Sequence, residues 1–235
     1  MFTEIECLRN SALFTKTETF QVPCGVISLR VLAVGGGAAG RNGEYSGGSS
    51  GFVAAGEIYV SPLASYVITV GRGGKYSEER GGNSSFGSSI VAQGGSITHG
   101  GSGGGGGREF DCTSGDGGSN GSNGAVGNGG FLQGSGNGNG QGSYSSLFAI
   151  IKYNRLSAGM GGSGTGVWRG PGGGGGGGVL INNRGPVAGN GASIAGGEGG
   201  KGYGAGGGGG GYTTNWNERG AGGAGADGLV YIEWW

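Results

Sequence analysis

The stretch Val31-Leu32-Ala33-Val34-Gly35-Gly36-Gly37-Ala38-Ala39-Gly40 runs from an apolar, β-branched segment straight into glycine. On paper Gly35, Gly37 and Gly40 satisfy G-x-G-x-x-G behind a strand, and Glu57 follows at the fingerprint's usual distance. That motif needs a helix whose N-terminus receives a pyrophosphate. Residues 41–51 instead read Arg-Asn-Gly-Glu-Tyr-Ser-Gly-Gly-Ser-Ser-Gly, which cannot make one. No cofactor is expected. What remains is a strand that gives way to glycine.

Around this stretch residues 16–93 read as β-structure, with no 3.6-residue apolar period. Strands are expected over residues 17–22, 26–34, 52–60, 66–70 and 86–92, separated by short Gly, Pro, Ser and Asn punctuation. In residues 26–34 the set Ile27, Leu29, Val31, Ala33 and Val34 is the more apolar and is expected to face a core, with Val26, Ser28, Arg30 and Leu32 opposite. Residues 229–235 are apolar on both faces and read as a buried strand returning to the same sheet. The fold class expected is all-β: a jelly-roll-like antiparallel sandwich with an inserted polyglycine bundle and essentially no α-helix.

Residues 94–226 hold 54 of the 71 glycines. Collagen is excluded, because its glycine recurs strictly at every third position with abundant proline. Here runs such as 103–107 and 172–178 are unbroken, and only 4 prolines occur. Composition leaves a disordered tract and an ordered lattice both open; the expectation is the ordered one. Fixing each backbone costs about 1–2 kcal/mol, and glycine has no side chain to bury in return. Backbone hydrogen bonds must offset that cost, at about 1 kcal/mol each. A polyproline-II-type helix makes no internal hydrogen bonds, so its amides and carbonyls point outward to neighbouring helices. Such a lattice roughly balances and needs the sandwich to hold the ends of its runs. The division expected is an attachment segment over 1–15, the sandwich over 16–93, the polyglycine-II bundle with its loops over 94–226, and the closing strand over 227–235.

Richer segments interrupt the glycine at 108–113, 143–157, 167–169, 179–188 and 212–219, and are expected as loops at the two ends of the bundle. Their aromatic and Arg side chains give the candidate receptor-binding residues Phe110, Tyr144, Phe148, Tyr153, Trp168, Arg169, Tyr212, Trp216 and Arg219. Any single ring is expected to cap the bundle or pack on the sandwich, while the set as a whole is expected to bind. An enzyme is not expected. His99 is the only histidine, so a His-based metal site or Ser-His-Asp triad has no material. Asp111, Asp116, Glu198 and Asp227 are scattered, and no metal is expected. Net charge is zero with 12% charged residues and no basic stripe, which argues against nucleic acid. No apolar run approaches a membrane span, and the opening residues lack a signal-peptide pattern. Cys7, Cys24 and Cys112, an odd count, are read as reduced thiols.

Thr19-Phe-Gln-Val-Pro-Cys-Gly-Val-Ile-Ser-Leu-Arg-Val-Leu-Ala-Val34 followed by Gly35-Gly36-Gly37 resembles the opening of glycine-rich domains in bacteriophage tail-fibre and adhesin proteins. Tyr66-Val-Ile-Thr-Val-Gly-Arg-Gly-Gly74, Gly82-Asn-Ser-Ser-Phe-Gly87 and Gly94-Gly95 continue the likeness, and Gly225-Ala-Asp-Gly-Leu-Val-Tyr-Ile-Glu-Trp234 is similar to the closing strand. The glycine-rich region of anaplastic lymphoma kinase-type receptors has a related layout, but as a disulfide-bearing ectodomain. The resemblance implies a virion tail adhesin made in the host cytoplasm. Its partners would be other tail proteins and a bacterial surface protein or glycan. Either a homotrimer or a monomer on a trimeric fibre would suit it. A structural tail or capsid decoration protein is the alternative, and an ice-binding or matrix protein a third.

Overall fold

The computed structural model describes residues 10–42, 47–76, 79–96, 156–158, 175, 177–181, 184–191, 197–210 and 220–235. These residues are all-β, with no α-helix among them. β1 (Asn10–Phe14), β10 (Leu229–Trp234), β3 (Ser28–Val34) and β4 (Val53–Tyr59) form one antiparallel sheet in that order. β2 (Glu18–Gln21), β5 (Ser65–Thr69), β6 (Ser84–Phe86) and β7 (Ile90–Ala92) form a second. The two pack face to face over Phe20, Leu29, Val31, Ala33, Ile68, Phe86, Val230 and Ile232, all buried. Phe20 meets Phe14, Phe86 and Trp234 in tilted and edge-to-face contacts, a favoured arrangement for aromatic quadrupoles.

The other face of the first sheet is also covered. β9 (Val179–Ile181), which pairs with β8 (Leu156–Ala158), lays Val179 against Leu32, Val34, Val53, Leu229 and Tyr231. This is why residues 229–234 are apolar on both faces: β10 is central in its sheet and has a layer on either side.

Several expectations need correction. Leu29, Val31 and Ala33 do face the inter-sheet core, but Val26 is buried and Ile27 is 65% exposed. The strand starts only at Ser28, after a turn in which the Val26 amide donates to the Pro23 carbonyl, so the alternation does not extend back through it. Val34 alternates to the β9 side. The single strand expected over 86–92 is the hairpin of β6 and β7, because Gly87 takes a positive φ of 51° that turns the chain. Asn10–Phe14, set apart in the sequence as part of an attachment segment, instead pair along β10. Residues 179–181, expected within a displayed loop, are a strand packed on the sandwich.

The glycine lattice begins where the strands end. Consecutive amides of residues 35–40 donate in turn to the carbonyls of Phe52, Gly82, Ala226, Ser49, Glu79 and Gly223. Every third amide therefore returns to the same neighbour, three residues further back along it. That is the signature of a threefold polyglycine-II helix bonded to antiparallel partners. The carbonyls of Gly36, Gly37 and Ala38 accept from Gly95, Gly74 and Gly207, which adds three more neighbours. Residues 35–40 are thus enclosed by six segments, all within hydrogen-bonding reach.

Five of the six belong to chain that enters or leaves the sandwich: 47–52 leads into β4, 71–74 leaves β5, 79–82 leads into β6, 94–96 leaves β7 and 220–228 leads into β10. The boundary expected at residue 93 therefore cuts through a lattice already begun at Gly35. Sheets with side chains between them stand about 10 Å apart. Beyond Val34 the side chains shrink to none or a methyl and the layers close until backbones bond across them, as Gly36, continuing the first sheet, does to Gly82, leading into the second, at 2.9 Å. The closeness is what excludes larger residues: a Cβ on Gly37 would lie 2.0 Å from the Ala205 carbonyl oxygen, and one on Gly81 1.8 Å from that of Gly36.

Candidate functional site

Following each segment away from the sandwich defines the outer end of the lattice. Residues 35–40 and 71–74 run outward, and 47–52 and 79–82 return. Residues 204–210 run parallel to 38–41, since Gly207 and Gly210 donate to the carbonyls of Ala38 and Arg41. Residues 220–228 come back beside them, with Gly223 and Ala226 donating to Gly208 and Ala205. Residues 187–191 also lead outward and 197–201 return, closed by the Gly191 amide on the Gly197 carbonyl at 2.7 Å.

The described residues that flank the connections at this end lie close together. A Cβ on Gly210 would fall 2.0 Å from the Gly220 carbonyl, so the segment between them leaves and re-enters from adjoining positions. Gly210 donates to the Arg41 carbonyl at 2.8 Å and Gly222 to Asn42 Oδ1 at 2.7 Å. Ala39 donates to the Glu79 carbonyl at 3.0 Å, which fixes the turn at 75–79 beside the same cluster.

Polar side chains in the lattice serve amides that no backbone reaches. Ser84 Oγ, fully buried, accepts from Gly71 at 2.9 Å; Asp227 Oδ1 accepts from Gly73, Asn83 Oδ1 from Gly94, and Asn190 Oδ1 from Gly199. At the 75–79 turn Glu79 Oε2 accepts from the amides of Lys75 and Tyr76 at 2.7 and 3.1 Å. The Lys75 amide first, then that of Tyr76, holds the Glu79 carboxyl below its usual range. Tyr76 itself is 76% exposed.

A family model for a glycine-rich domain matches residues 13–235. The chain belongs to that family. No curated protein matches it. The glycine-rich domain thus spans sandwich and lattice together, as the shared strands require.

All nine candidate residues, Phe110, Tyr144, Phe148, Tyr153, Trp168, Arg169, Tyr212, Trp216 and Arg219, lie outside the described residues, as do Cys7, His99, Asp111, Cys112 and Asp116. The anchors of the segment that carries Tyr212, Trp216 and Arg219 are described, at Gly210 and Gly220. Gly35, Gly37 and Gly40 are buried among six backbones, and Glu57 sits in β4 with its carboxylate 3.4 Å from Arg30. Cys24 is an exposed free thiol, and Asp227 is committed to the Gly73 amide. The sequence reading missed Lys75, Tyr76 and Glu79. The signal was present: a side-chain-rich run between Gly73-Gly74 and Gly81-Gly82 is the same pattern used to pick the later segments.

Proposed function

We propose that this glycine-rich domain is the bacteriophage tail kind, a non-enzymatic adhesin that recognises a host-surface protein or glycan with the turns at the outer end of its lattice. The observation that carries the reading is the clustering of anchors at that end. The described residues on either side of four connections, Asn42 and Gly47, Tyr76 and Glu79, Gly191 and Gly197, and Gly210 and Gly220, all lie at one hydrogen-bonded end of the lattice. A binding surface gains affinity when its contact groups are held in place before binding, because less freedom is then lost. Hydrogen-bonded backbone beneath side-chain-bearing connections is such an arrangement.

In this reading the far end of the sandwich, where Ile27, Tyr59 and Leu63 are exposed, faces the rest of the virion. Other tail proteins are the partners there, in a homotrimer or as a monomer seated on a trimeric fibre.

Purified protein added to susceptible bacteria should bind them and compete with phage for adsorption. Exchanging residues 212–219 for those of a relative with another host should redirect that binding. Protein that neither binds cells nor competes would be a structural virion component, and the adhesin reading would be withdrawn.

A further inference from the structure

The end of the sandwich away from the lattice is closed by two corners lying side by side. Residues 22–27 carry the chain from β2 in the second sheet to β3 in the first, and residues 60–64 carry it back from β4 to β5. The corners are bonded to each other at both ends. Val22 donates to the Ala64 carbonyl at 2.9 Å and accepts from the Leu63 amide at 3.0 Å, and Val60 donates to the Ile27 carbonyl at 2.9 Å. Ile27, Tyr59 and Leu63, which are 65%, 87% and 60% exposed, are therefore held on one cap.

Each corner contains a four-residue turn closed by its fourth amide on its first carbonyl, Pro23 to Val26 and Ser61 to Ala64. In both the third residue takes a positive φ, 81° at Gly25 and 64° at Leu63. Glycine is the ordinary occupant of such a position, because a Cβ there crowds the following carbonyl. Leu63 is the only non-glycine at positive φ among the described residues, in a chain that uses glycine at 71 positions. Burial does not offset the strain, since the side chain is left in solvent. Strain kept at an exposed apolar residue points to a contact made outside the fold. The cap also lacks charge. No Asp, Glu, Lys or Arg occurs in residues 22–27 or 58–65, and the nearest charges along β3 and β4, Arg30 and Glu57, are paired with each other at 3.4 Å.

We propose that this cap is the contact through which copies of this chain associate, meeting cap to cap about a rotation axis. Where a surface meets its own copy, a residue near the axis faces its counterpart, so a charge there would be opposed by a like one. An apolar, charge-free patch meets that requirement. The lattice lies at the other end of the sandwich, so its outer connections stay clear of the contact. The proposal deepens the reading of this end as the one turned toward the rest of the virion, and names a second copy as the partner there; the chemistry of the cap does not depend on that reading. Three large side chains make a patch smaller than the about 800 Å² per partner of a stable dimer, so the association is reversible and concentration-dependent.

The test is sedimentation equilibrium of the purified chain across a wide range of concentration. The mass is expected to rise above that of one chain, and to rise further in sulfate, which strengthens apolar contacts. Tyr59→Ser and Leu63→Gly should each weaken the association by about tenfold, the effect of losing one principal contact. Leu63→Gly should also keep or raise the unfolding midpoint, because it removes the backbone strain; a leucine that merely served the fold would lower it. Tyr76→Ala, at the outer end of the lattice, should associate like wild type. A single-chain mass at every concentration, association that both cap variants retain, or a lowered midpoint in Leu63→Gly would each overturn the proposal. A single chain that still binds susceptible bacteria would overturn it and leave the adhesin reading intact. Cap-dependent association without cell binding would do the reverse.

Discussion

The sandwich and the glycine lattice are one continuous set of backbones, but different things fill the space between their layers. In the sandwich, side chains such as Phe86, Leu29 and Ile232 hold the sheets apart and supply cohesion by being buried. In the lattice at most a small side chain such as an alanine methyl or a serine stands between neighbours, and cohesion comes from amides that point successively to different partners. The sandwich is therefore sensitive to what is removed and the lattice to what is added. Where a methyl is admitted the lattice makes room for it: Ala188, Ala205 and Ala226 pack against one another, and Ala38 and Ala39 are fully buried at positions of their own.

The largest test is on the sandwich side. Phe86→Ala deletes a fully buried ring that contacts Phe20 and Tyr66, and should cost about 4 kcal/mol in a denaturant titration. Gly37→Ala should approach it at about 3 kcal/mol, because the added methyl meets a carbonyl that belongs to a bonded neighbour and cannot rotate away. The matched change Gly56→Ala, in β4, meets only Ile90 Cδ1 at 3.0 Å and should cost under about 1 kcal/mol. If Gly37→Ala proves as mild as Gly56→Ala, the contrast between the two regions collapses.

Ser84→Ala probes the junction. It leaves the buried Gly71 amide without its acceptor, for about 2 kcal/mol, and hydrogen exchange at that amide should accelerate. The smallest effect concerns acid. The Glu79 carboxyl is held below its ordinary value of 4.5 because its ionised form accepts two amides. Its support of the 75–79 turn is therefore complete above that ordinary value, and is lost as pH falls through the lowered one. Proton NMR of the Lys75 and Tyr76 amides should report that loss, and Glu79→Gln should show no such titration.

Much of the sandwich is legible in the sequence. β2, β3, β4, β5 and β10 are legible as short strands marked off by turn residues, and the double-sided apolarity of residues 229–234 correctly marks a buried strand returning to the first sheet. β1 is not legible, because Asn10–Phe14 has no pattern of its own and its partner lies at the opposite end of the chain. The lattice is legible as a material but not as a map. Gly36 chooses Gly82 and Gly37 chooses Ala226 through backbone groups that every residue carries, so no side chain records the pairing. For the same reason the sequence located side-chain-rich segments but could not tell that residues 179–181 pack back onto the sheet, or that Glu79 sits at the same end of the lattice as Gly210 and Gly220.

The position of β10 has a consequence for biosynthesis. It lies between β1 and β3, so the first sheet cannot close until the ribosome has reached residue 229. Until then β3 waits with an unpaired edge and the six-neighbour cage around residues 35–40 lacks a wall. Contacts that span nearly the whole chain make folding slow and leave a long interval open to aggregation. A protein built this way depends on residues 229–234 to turn separate ribbons into a solid, and its yield in the cell should be governed by what protects it before they arrive.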